Sequence, residues 1–295
     1  MPKTGIPVFS ETESFSSGQY RNFYISSYED QEAEHLNRVA PHKHTYFEII
    51  WIENGSGTHL IDFVQYPFEG PCLFLLQPAN VHQIFKSGPT KGNVIKFTES
   101  FFGSGGTDNI LLKFDVFDNV EVEPVLQISP EFLPRLKAIL TPMMDHFRNP
   151  EVVSRSVLEA YLRIFLLEVY QLKKNRGLTH DPASDPKYFL FREFKHLLER
   201  SYRENHSVDF YAGQLNISAK TLSEVTVLFT EKAPSHLIRD RLLLESKRML
   251  TNTRLTVKEI CFALGFRDPA YFTRFFTKHE ALSPVQFRAS PKKLF

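Results

Sequence analysis

The chain has 295 residues, of which 42% are hydrophobic and 23% are charged, and its formal net charge is +1. This balance is typical of folded proteins and excludes a disordered chain, and the length allows about two domains. No apolar run approaches the roughly 18 residues that a membrane helix needs, which excludes a membrane-spanning protein. The N-terminus lacks the apolar core of a secretory signal, so we expect a cytoplasmic protein. Cys72 and Cys261 have no metal-type spacing and are predicted to be buried, reduced thiols.

Charge is unevenly distributed along the chain. From Pro186 to the C-terminus, 19 Lys and Arg residues stand against 11 Asp and Glu, whereas the remainder has 16 against 23. A basic C-terminal third beside an acidic remainder is typical of a nucleic-acid-binding module joined to a second domain. The pattern is weak by itself, because many solvated helices are also basic.

The N-terminal part, from about Tyr20, consists of short β-rich runs separated by turn residues. Phe47–Ile52 and Thr58–Asp62 are rich in β-branched and aromatic residues, and the Asn-Gly-Ser-Gly stretch between them predicts a hairpin. Prolines and glycines delimit further strands, notably Cys72–Leu76. Closely spaced short strands favour a barrel or sandwich over a parallel sheet with crossover helices.

Histidines and an acid occur at every second position around the start of the first of these runs. His42, His44, Tyr46 and Glu48 alternate along the sequence, so one strand would point all four side chains to the same face, and His82 would join them from a neighbouring strand. The spacing HxH(x)3E(x)6G resembles the first motif of the cupins, and residues 70–82 resemble the second more loosely. Three imidazoles and a carboxylate suit Zn, Fe, Mn or Ni.

Two uses of this barrel remain open. In one, it is a metal-free effector pocket lined by His42, His44, Tyr46, Glu48, Trp51 and His82. In the other, a divalent metal is held by His42, His44, Glu48 and His82. The second motif has Asn80 where metal-binding cupins usually have Gly, so we favour the metal-free pocket and expect no cofactor.

Helical spacing begins near Pro130. Apolar residues recur every three to four positions in two segments, namely Phe132, Leu136, Ile139, Leu140 and Met143, then Val153, Val157, Leu158, Tyr161, Leu162, Phe165 and Val169. The second predicted helix ends in a basic turn followed by the C-cap residue Gly177. The apolar stripes of these helices could pair two chains or pack on the barrel, and we favour pairing. The polar, proline-containing stretch 177–186 is the expected linker.

The C-terminal segment contains an internal repeat of about 50 residues. Ser207–Val225 aligns with Thr256–Phe275 at an offset of 49, which becomes 50 after one added residue in the turn. Asn216 and Gly265 occupy the turn, where a positive φ is most easily adopted by Asn and Gly. Ser218 and Asp268, which follow the turns, are predicted to N-cap the next helices. Two helix-turn-helix units explain this agreement better than a helical bundle with a chance internal similarity.

The stretch Leu255–Arg288 resembles the C-terminal signature of AraC/XylS-family transcription regulators. The matching residues are Ile260, Leu264, Gly265, Phe266, Asp268, Tyr271, Phe272, Phe275, Phe276, Ser283, Pro284, Phe287 and Arg288. The resemblance covers residues 189–287 and implies DNA binding by both units, with 235–252 as the joining helix. It also implies a small effector in the barrel, commonly a sugar, and dimerisation through residues 130–174. This chain departs from the family pattern at Thr226, Glu231, Leu242 and Ala281.

The second helix of each unit should enter the major groove of double-stranded DNA. The predicted contact residues are Lys220, Thr221, Ser223, Glu224 and Val227 in the first unit and Arg267, Ala270, Thr273, Arg274 and Lys278 in the second. Arg274 is the strongest candidate for a base contact, because an arginine fork matches guanine O6 and N7.

The sequence therefore predicts an α+β protein with two domains. The expected order is a flexible arm (1–19), a cupin-like sensor domain (20–129), a helical dimerisation or linking segment (130–176), a linker (177–186) and a tandem helix-turn-helix domain (187–290). The predicted function is sequence-specific transcription regulation, as an activator that contacts RNA polymerase, with a homodimer and a small effector. The alternatives are a cupin-type metalloenzyme with a helical appendage and a constitutive DNA-binding regulator with a purely structural barrel, and we expect no catalysis.

Overall fold

The structure is a computed structural model that describes residues 8–10, 20–28, 41–102, 116–117, 124–178 and 185–290. It divides into two compact units, with the boundary between Thr179 and His180. That boundary lies inside the stretch 177–186 expected to be the linker. Within the described residues, no helix combines the length and apolar character needed to cross a membrane.

The N-terminal unit is built on antiparallel sheets. Its strands, within the described residues, are β1 (Val8–Phe9), β2 (Phe23–Ser27), β3 (Lys43–His44), β4 (Phe47–Asn54), β5 (Ser56–Ile61), β6 (Val64–Glu69), β7 (Cys72–Leu76), β8 (His82–Lys86), β9 (Lys91–Phe97) and β10 (Val125–Gln127). Five of them form a sheet in the order β10-β7-β4-β9-β2, and three form a second sheet in the order β6-β5-β8. The predicted β-rich fold without crossover helices is confirmed.

The predicted hairpin at Asn54–Gly57 is wrong. Strand β4 pairs with β7 on one edge and with β9 on the other, while β5 pairs with β6 and β8 in the other sheet. Because both edges of β4 are occupied, β5 cannot pair with it. Gly55, at φ +127°, carries the chain from one sheet to the other.

Alternation along β4 sends its side chains to two different cores. Ile50 and Ile52 point between the two sheets, where they pack with Ile61 and Phe68 of the smaller sheet. Ile49 and Trp51 point to the opposite face of the larger sheet, against the helices. The strand is therefore buried on both faces, with Ile49 and Ile52 fully inaccessible.

Two helices cover the outer face of the larger sheet. They are α1 (Leu133–Arg148) and α2 (Ser154–Asn175), and Gly177 follows α2 with a φ of +68°, as predicted. Most residues of their apolar stripes pack in one core with the sheet, and Leu136 and Phe165 are completely buried there. The expectation that these stripes pair two chains is therefore wrong, because they pack on their own barrel. Val153 was also misplaced, since it precedes α2 and is exposed.

Part of the predicted flexible arm is a strand. Val8 and Phe9 pair in parallel with Lys43 and His44. The backbone N–H of Thr45 donates to the carbonyl of Phe9 at 3.3 Å, and the Phe9 ring lies edge-on to His42 at 5.4 Å between centroids. These contacts give the segment a fixed place that composition did not predict. The remaining arm residues, 1–7 and 11–19, lie outside the described residues.

The C-terminal unit is helical. Its described helices are α3 (Pro186–Ser201), α4 (Val208–Gln214), α5 (Ala219–Thr230), α6 (Pro234–Asn252), α7 (Val257–Ala263), α8 (Pro269–Glu280) and α9 (Pro284–Ala289). One continuous core joins them, and it includes Leu242 and Cys261. Cys72 is buried in the N-terminal unit, so both cysteines are buried and free, as predicted.

Candidate functional sites

The two sequence repeats form two helix-turn-helix units of matching dimensions. In the first, α4 has seven residues and α5 has twelve; in the second, α7 and α8 have the same lengths. Ser218 accepts a hydrogen bond from the backbone N–H of Thr221, and Asp268 accepts from those of Ala270 and Tyr271. The predicted N-caps are thus present at equivalent positions and fix where each second helix begins.

Both turns use the backbone conformation predicted for them. Asn216 has a φ of +55° and Gly265 a φ of +77°. At Gly265 space is also limiting, because a Cβ atom there would lie 2.0 Å from the carbonyl oxygen of Arg203. The second turn has one residue more than the first, Arg267, which is exposed and directly precedes the capping Asp268.

The residues predicted to read DNA lie on the second helices, except Arg267, which lies in the turn before α8, and they differ in exposure. Those with exposed side chains are Lys220, Glu224, Val227, Arg267, Ala270, Arg274 and Lys278, while Thr221, Ser223 and Thr273 are half-buried. The Thr273 hydroxyl donates to the carbonyl of Pro269 at 2.9 Å, and that of Thr221 lies 2.8 Å from the Ser218 hydroxyl. Sequence reasoning missed Tyr271 and Leu228, which are more than half exposed on the same two helices. Exposure of these apolar side chains is known only from the structure, so sequence reasoning had no signal for them.

Charges on the two reading helices are paired within each helix. The Lys220 ammonium lies 4.0 Å from the Glu224 carboxylate, and the Arg274 guanidinium lies 3.9 Å from the Asp268 carboxylate. All four side chains are mostly exposed, so each pair contributes little to stability and can exchange its partner for a phosphate or a base edge. Only the first helix carries an acid in the middle of its reading face.

A second candidate site lies between the two sheets of the N-terminal unit. Nε2 of His44 lies 3.4 Å, and Nε2 of His82 3.5 Å, from the same oxygen, Oε2 of Glu48. The three possible ligand atoms lie within 4.8 Å of one another, and all three residues are buried. This arrangement of two imidazoles and a carboxylate could hold a metal ion or bind a small polar molecule.

The structure brings only some of the predicted pocket residues together. The chain bends at Thr45 and Tyr46, so His44 lies in β3 and Glu48 in β4, and the predicted single strand through them is wrong. Tyr46 is fully buried and stacks on His44 at 4.4 Å. Trp51 is on the opposite face of the sheet, packed against the helices, so its placement in the pocket is also wrong. The error arose because Trp51 is an odd number of residues from Glu48.

His42 lies beside this cluster. Its backbone N–H and carbonyl exchange hydrogen bonds with those of His82, at 3.0 and 2.8 Å. The two imidazole rings lie 4.2 Å apart, and His42 is buried.

Two buried residues of the cluster were missed. Nε2 of His59, in β5, lies 3.0 Å from Nδ1 of His82, and His59 is completely inaccessible. The Lys96 ammonium lies 4.0 Å from Oε1 of Glu48 and 5.2 Å from the Tyr24 ring centroid. The sequence could have indicated that His59 is buried, because His59 is two residues from the apolar Ile61 and so lies on the same inner face of the strand. It gave no such indication for Lys96, since lysine in a strand is usually exposed.

The cluster perturbs the ionisation of its own members. Burial acts to raise the pKa of Glu48, but His44, His82 and Lys96 outweigh it and hold that pKa well below its usual range. Burial lowers the pKa of His59 to about 3. Burial and then His42 lower the pKa of His82 well below its usual value. The cluster therefore contains a carboxylate facing at least two neutral imidazoles at neutral pH.

Comparison with known proteins matches a family model to each of the two units. Residues 28–159 match the family model of the AraC-like ligand binding domain, and residues 211–290 match that of a helix-turn-helix domain. Together these matches cover more than two thirds of the chain. A ligand-binding β-domain followed by two helix-turn-helix units defines a DNA-binding transcription regulator. The chain belongs to the AraC family of these regulators.

Similar full-length proteins are also transcription regulators. The chain is 21% identical over 264 residues to the transcriptional activator RhaR of Enterobacter sp. (strain 638), covering 87% of this chain and 89% of that protein. It is 23% identical over 277 residues to the transcriptional regulator YfiF of Bacillus subtilis (strain 168), covering 91% and 84%. Among solved structures, ToxT from Vibrio cholerae O395 is 16% identical, covers 92% of this chain and 98% of its own, and has a TM-score of 0.44.

Proposed function

We propose that this regulator binds operator DNA through α5 and α8, placing one in each of two successive major-groove segments. The observation that carries the proposal is the pair of equally long, equally capped second helices with exposed polar faces. Helix α6, with 19 residues, is about 28 Å long, which suits two reading helices that lie near one DNA turn apart. Arg267, Arg274 and Lys278 give the second unit its affinity for DNA, and Glu224 adds selectivity in the first.

The test is selection of bound sequences from random double-stranded DNA by the full-length protein. We expect one enriched motif with two conserved segments about 10 base pairs apart. Glu224→Ala should relax the motif in one segment only, because a glutamate accepts from a cytosine amino group. Glu204→Ala, an exposed acid outside both reading helices, is the matched control. An absence of any enriched sequence would contradict the proposal.

The N-terminal unit is the sensing domain in this proposal, not a catalytic centre. Its buried polar cluster binds a small polar effector, for which sugars are the first class to test. An effector changes DNA binding only if its affinity differs between two states of the protein. A thermal-shift screen tests this role, because a ligand present at 100 times its Kd stabilises the folded state by about 2.7 kcal/mol. DNA binding must then change with the same compound.

The proposal includes a homodimer, and its interface differs from the one expected from sequence. On α2, Ala160, Ile164, Leu167 and Gln171 are exposed at helical spacing, opposite the stripe buried against the sheet. An exposed Ile and Leu one turn apart are typical of a helix that pairs with a second copy. Ile164→Glu should shift the sedimentation coefficient to that of a monomer. Val64→Glu, at an equally exposed valine of β6, should leave it unchanged.

The direction of regulation is proposed from the relatives. RhaR is a transcriptional activator by name, and activation would require contact between this chain and RNA polymerase. In vitro transcription from a promoter with the selected motif tests this point. Transcript levels should rise on addition of the protein, and a fall would identify a repressor.

A further inference from the structure

Three buried imidazole nitrogens have no hydrogen-bond partner among the described residues, namely Nε2 of His44, Nε2 of His82 and Nδ1 of His59. The first two lie 3.4 and 3.5 Å from the same oxygen, Oε2 of Glu48. Buried polar atoms are nearly always satisfied, so each exception needs an explanation. Here Nε2 of His44 and Nε2 of His82 lie near the same carboxylate oxygen. A single missing partner, bound at this point, would therefore explain why both nitrogens are unsatisfied.

The hydrogen bond on the other side of His44 fixes its tautomer. Nδ1 of His44 lies 2.7 Å from the carbonyl oxygen of Tyr46, which can only accept, so Nδ1 carries the proton. Nε2 of His44 then faces the Glu48 carboxylate at 3.4 Å. A positive charge between these two atoms stabilises the approach, and either a proton on Nε2 or a metal ion bound by both atoms can supply it.

The distances from the carboxylate oxygen to the two nitrogens suit a metal ion, and all three atoms lie within 4.8 Å of one another. Ligand atoms about 2.1 Å from one ion in a tetrahedral arrangement lie about 3.4 Å from each other. The distances from Oε2 of Glu48 to the two nitrogens are 3.4 and 3.5 Å. Metal-bound histidines also donate their other ring N–H to a carbonyl or a similar acceptor, as His44 does to Tyr46.

We propose that His44, Glu48 and His82 bind one divalent transition-metal ion and leave at least one coordination position for water or an oxygen atom of the effector. This reverses the sequence-based expectation of a metal-free pocket and differs from its metal set, because His42 is not among the ligands. Nitrogen and carboxylate ligands favour Zn²⁺, Fe²⁺, Co²⁺ and Ni²⁺ over Mg²⁺ and Ca²⁺, which prefer oxygen. The inference deepens the proposed function, since it names the chemistry of the sensing site.

Two further residues position the ligands without touching the ion. Nδ1 of His82 lies 3.0 Å from Nε2 of His59. With a metal ion on Nε2 of His82, the proton of that ring is on Nδ1, which then donates to Nε2 of His59. Lys96 lies on the far oxygen of Glu48, Oε1, and turns Oε2 toward the histidines. His59 and Lys96 are therefore positioning residues.

The test is equilibrium dialysis of full-length, EDTA-treated protein against Zn²⁺, with metal content measured by mass spectrometry. We expect about one Zn²⁺ per chain, a raised melting temperature with Zn²⁺ or Co²⁺, and no change with Mg²⁺ or Ca²⁺. Co²⁺ should give the visible absorption of a site with nitrogen ligands. Wild-type protein that takes up no stoichiometric Zn²⁺ or Co²⁺ overturns the proposal.

The variants separate ligands from positioning residues. Glu48→Gln keeps the shape of the side chain and should lower Zn²⁺ affinity at least tenfold, as should His44→Ala. His59→Phe should lower affinity about 10- to 100-fold while retaining the Co²⁺ spectrum, because an outer partner is lost and no ligand changes. His236→Ala removes an exposed imidazole of the other unit and should bind like wild type. If Glu48→Gln binds Zn²⁺ as tightly as the wild type does, the proposed metal site is wrong.

Metal binding is measured without DNA, so its failure is distinct from failure of the proposed function. A protein that binds Zn²⁺ but selects no DNA sequence retains the metal site and contradicts the regulator. A protein that selects a DNA sequence but binds no metal contradicts the metal site alone.

Discussion

Glu231 and Ala281, fifty residues apart, occupy the same backbone position in the two repeats. Each ends the second helix of its unit in the left-handed conformation, with φ of +57° and +58°. Each backbone N–H donates to the carbonyl four residues earlier, Val227 and Thr277 respectively. Helices commonly end this way with glycine, which adopts the conformation without strain. Both units therefore carry a strained C-cap.

Glu231→Gly should stabilise the protein by about 1 kcal/mol, because it removes the steric penalty of a side chain in the left-handed region. Chemical denaturation monitored by circular dichroism measures the change. Glu224→Gly, in the exposed middle of the same helix, should have the opposite effect and destabilise by about 1 kcal/mol. Equal destabilisation by both substitutions would show that the cap at Glu231 is not strained.

Gly265→Ala should destabilise the protein by more than about 2 kcal/mol. The new Cβ would meet the carbonyl oxygen of Arg203 at 2.0 Å, and the φ of +77° disfavours any side chain. Gly213→Ala is the matched control, because it lies in α4 with no atom within 4 Å of the new Cβ. It should stabilise by up to about 1 kcal/mol. Similar melting temperatures for the two variants would refute the close packing of the second turn.

Arg274→Ala should weaken binding to the selected motif by about 1–3 kcal/mol and leave random DNA nearly unaffected, as expected for a base contact. Fluorescence anisotropy with both DNAs measures the difference. Lys258→Ala removes an exposed charge from α7, a first helix that crosses the backbone, so any loss should be equal on both DNAs. If Arg274→Ala weakened binding to the selected motif and to random DNA equally, Arg274 would contact a phosphate and not a base.

Acid should destabilise the C-terminal unit through Glu245. Burial acts to raise the pKa of Glu245, but Arg241, Arg248 and Arg203 outweigh it and lower the pKa. The guanidinium groups of Arg203 and Arg241 donate to its carboxylate at 2.8 and 3.1 Å. Because the folded pKa is lower than the unfolded one, the stabilisation is present above the ordinary carboxyl range. It is lost as the pH falls from there through the folded pKa.

Glu245→Gln should lower the free energy of unfolding by about 1–3 kcal/mol at pH 7, because it leaves charged donors without a carboxylate partner. The variant should also lose less stability than wild type between about pH 5 and pH 3. Denaturation curves at each pH check both points. Glu224→Gln, at an exposed acid, is the control and should follow the wild-type pH profile. If Glu245→Gln lost as much unfolding free energy as wild type between about pH 5 and pH 3, the Glu245 carboxylate would not be the cause of the destabilisation in acid.

Local chemistry made the C-terminal unit predictable. Caps such as Ser218 and Asp268, and turn residues such as Asn216 and Gly265, act within a few residues of their own position. Their roles can therefore be inferred from residue type and spacing. The repeat supplied an independent check, because each feature had to occur twice.

The N-terminal unit was less predictable because its contacts are distant in sequence. The order of strands in a sheet determines whether Asn54–Gly57 forms a hairpin, and that order depends on β7 and β9. A bend at Thr45 and Tyr46 divides the predicted single strand into β3 and β4. The burial of Lys96 beside Glu48 depends on pairing between β4 and β9, for which neither strand carries a local signal.

The extra residue in the second turn, Arg267, has a consequence for how the duplicated units diverge. It is inserted between a residue that sets the turn, Gly265, and the cap that starts the next helix, Asp268, and both still perform their tasks. The turn between the two helices can therefore differ by one residue between the units, while the helices on either side keep the same lengths. A cation can therefore be present or absent before the reading helix while the turn and the cap keep their conformations. DNA-binding preference at this position can change independently of fold stability.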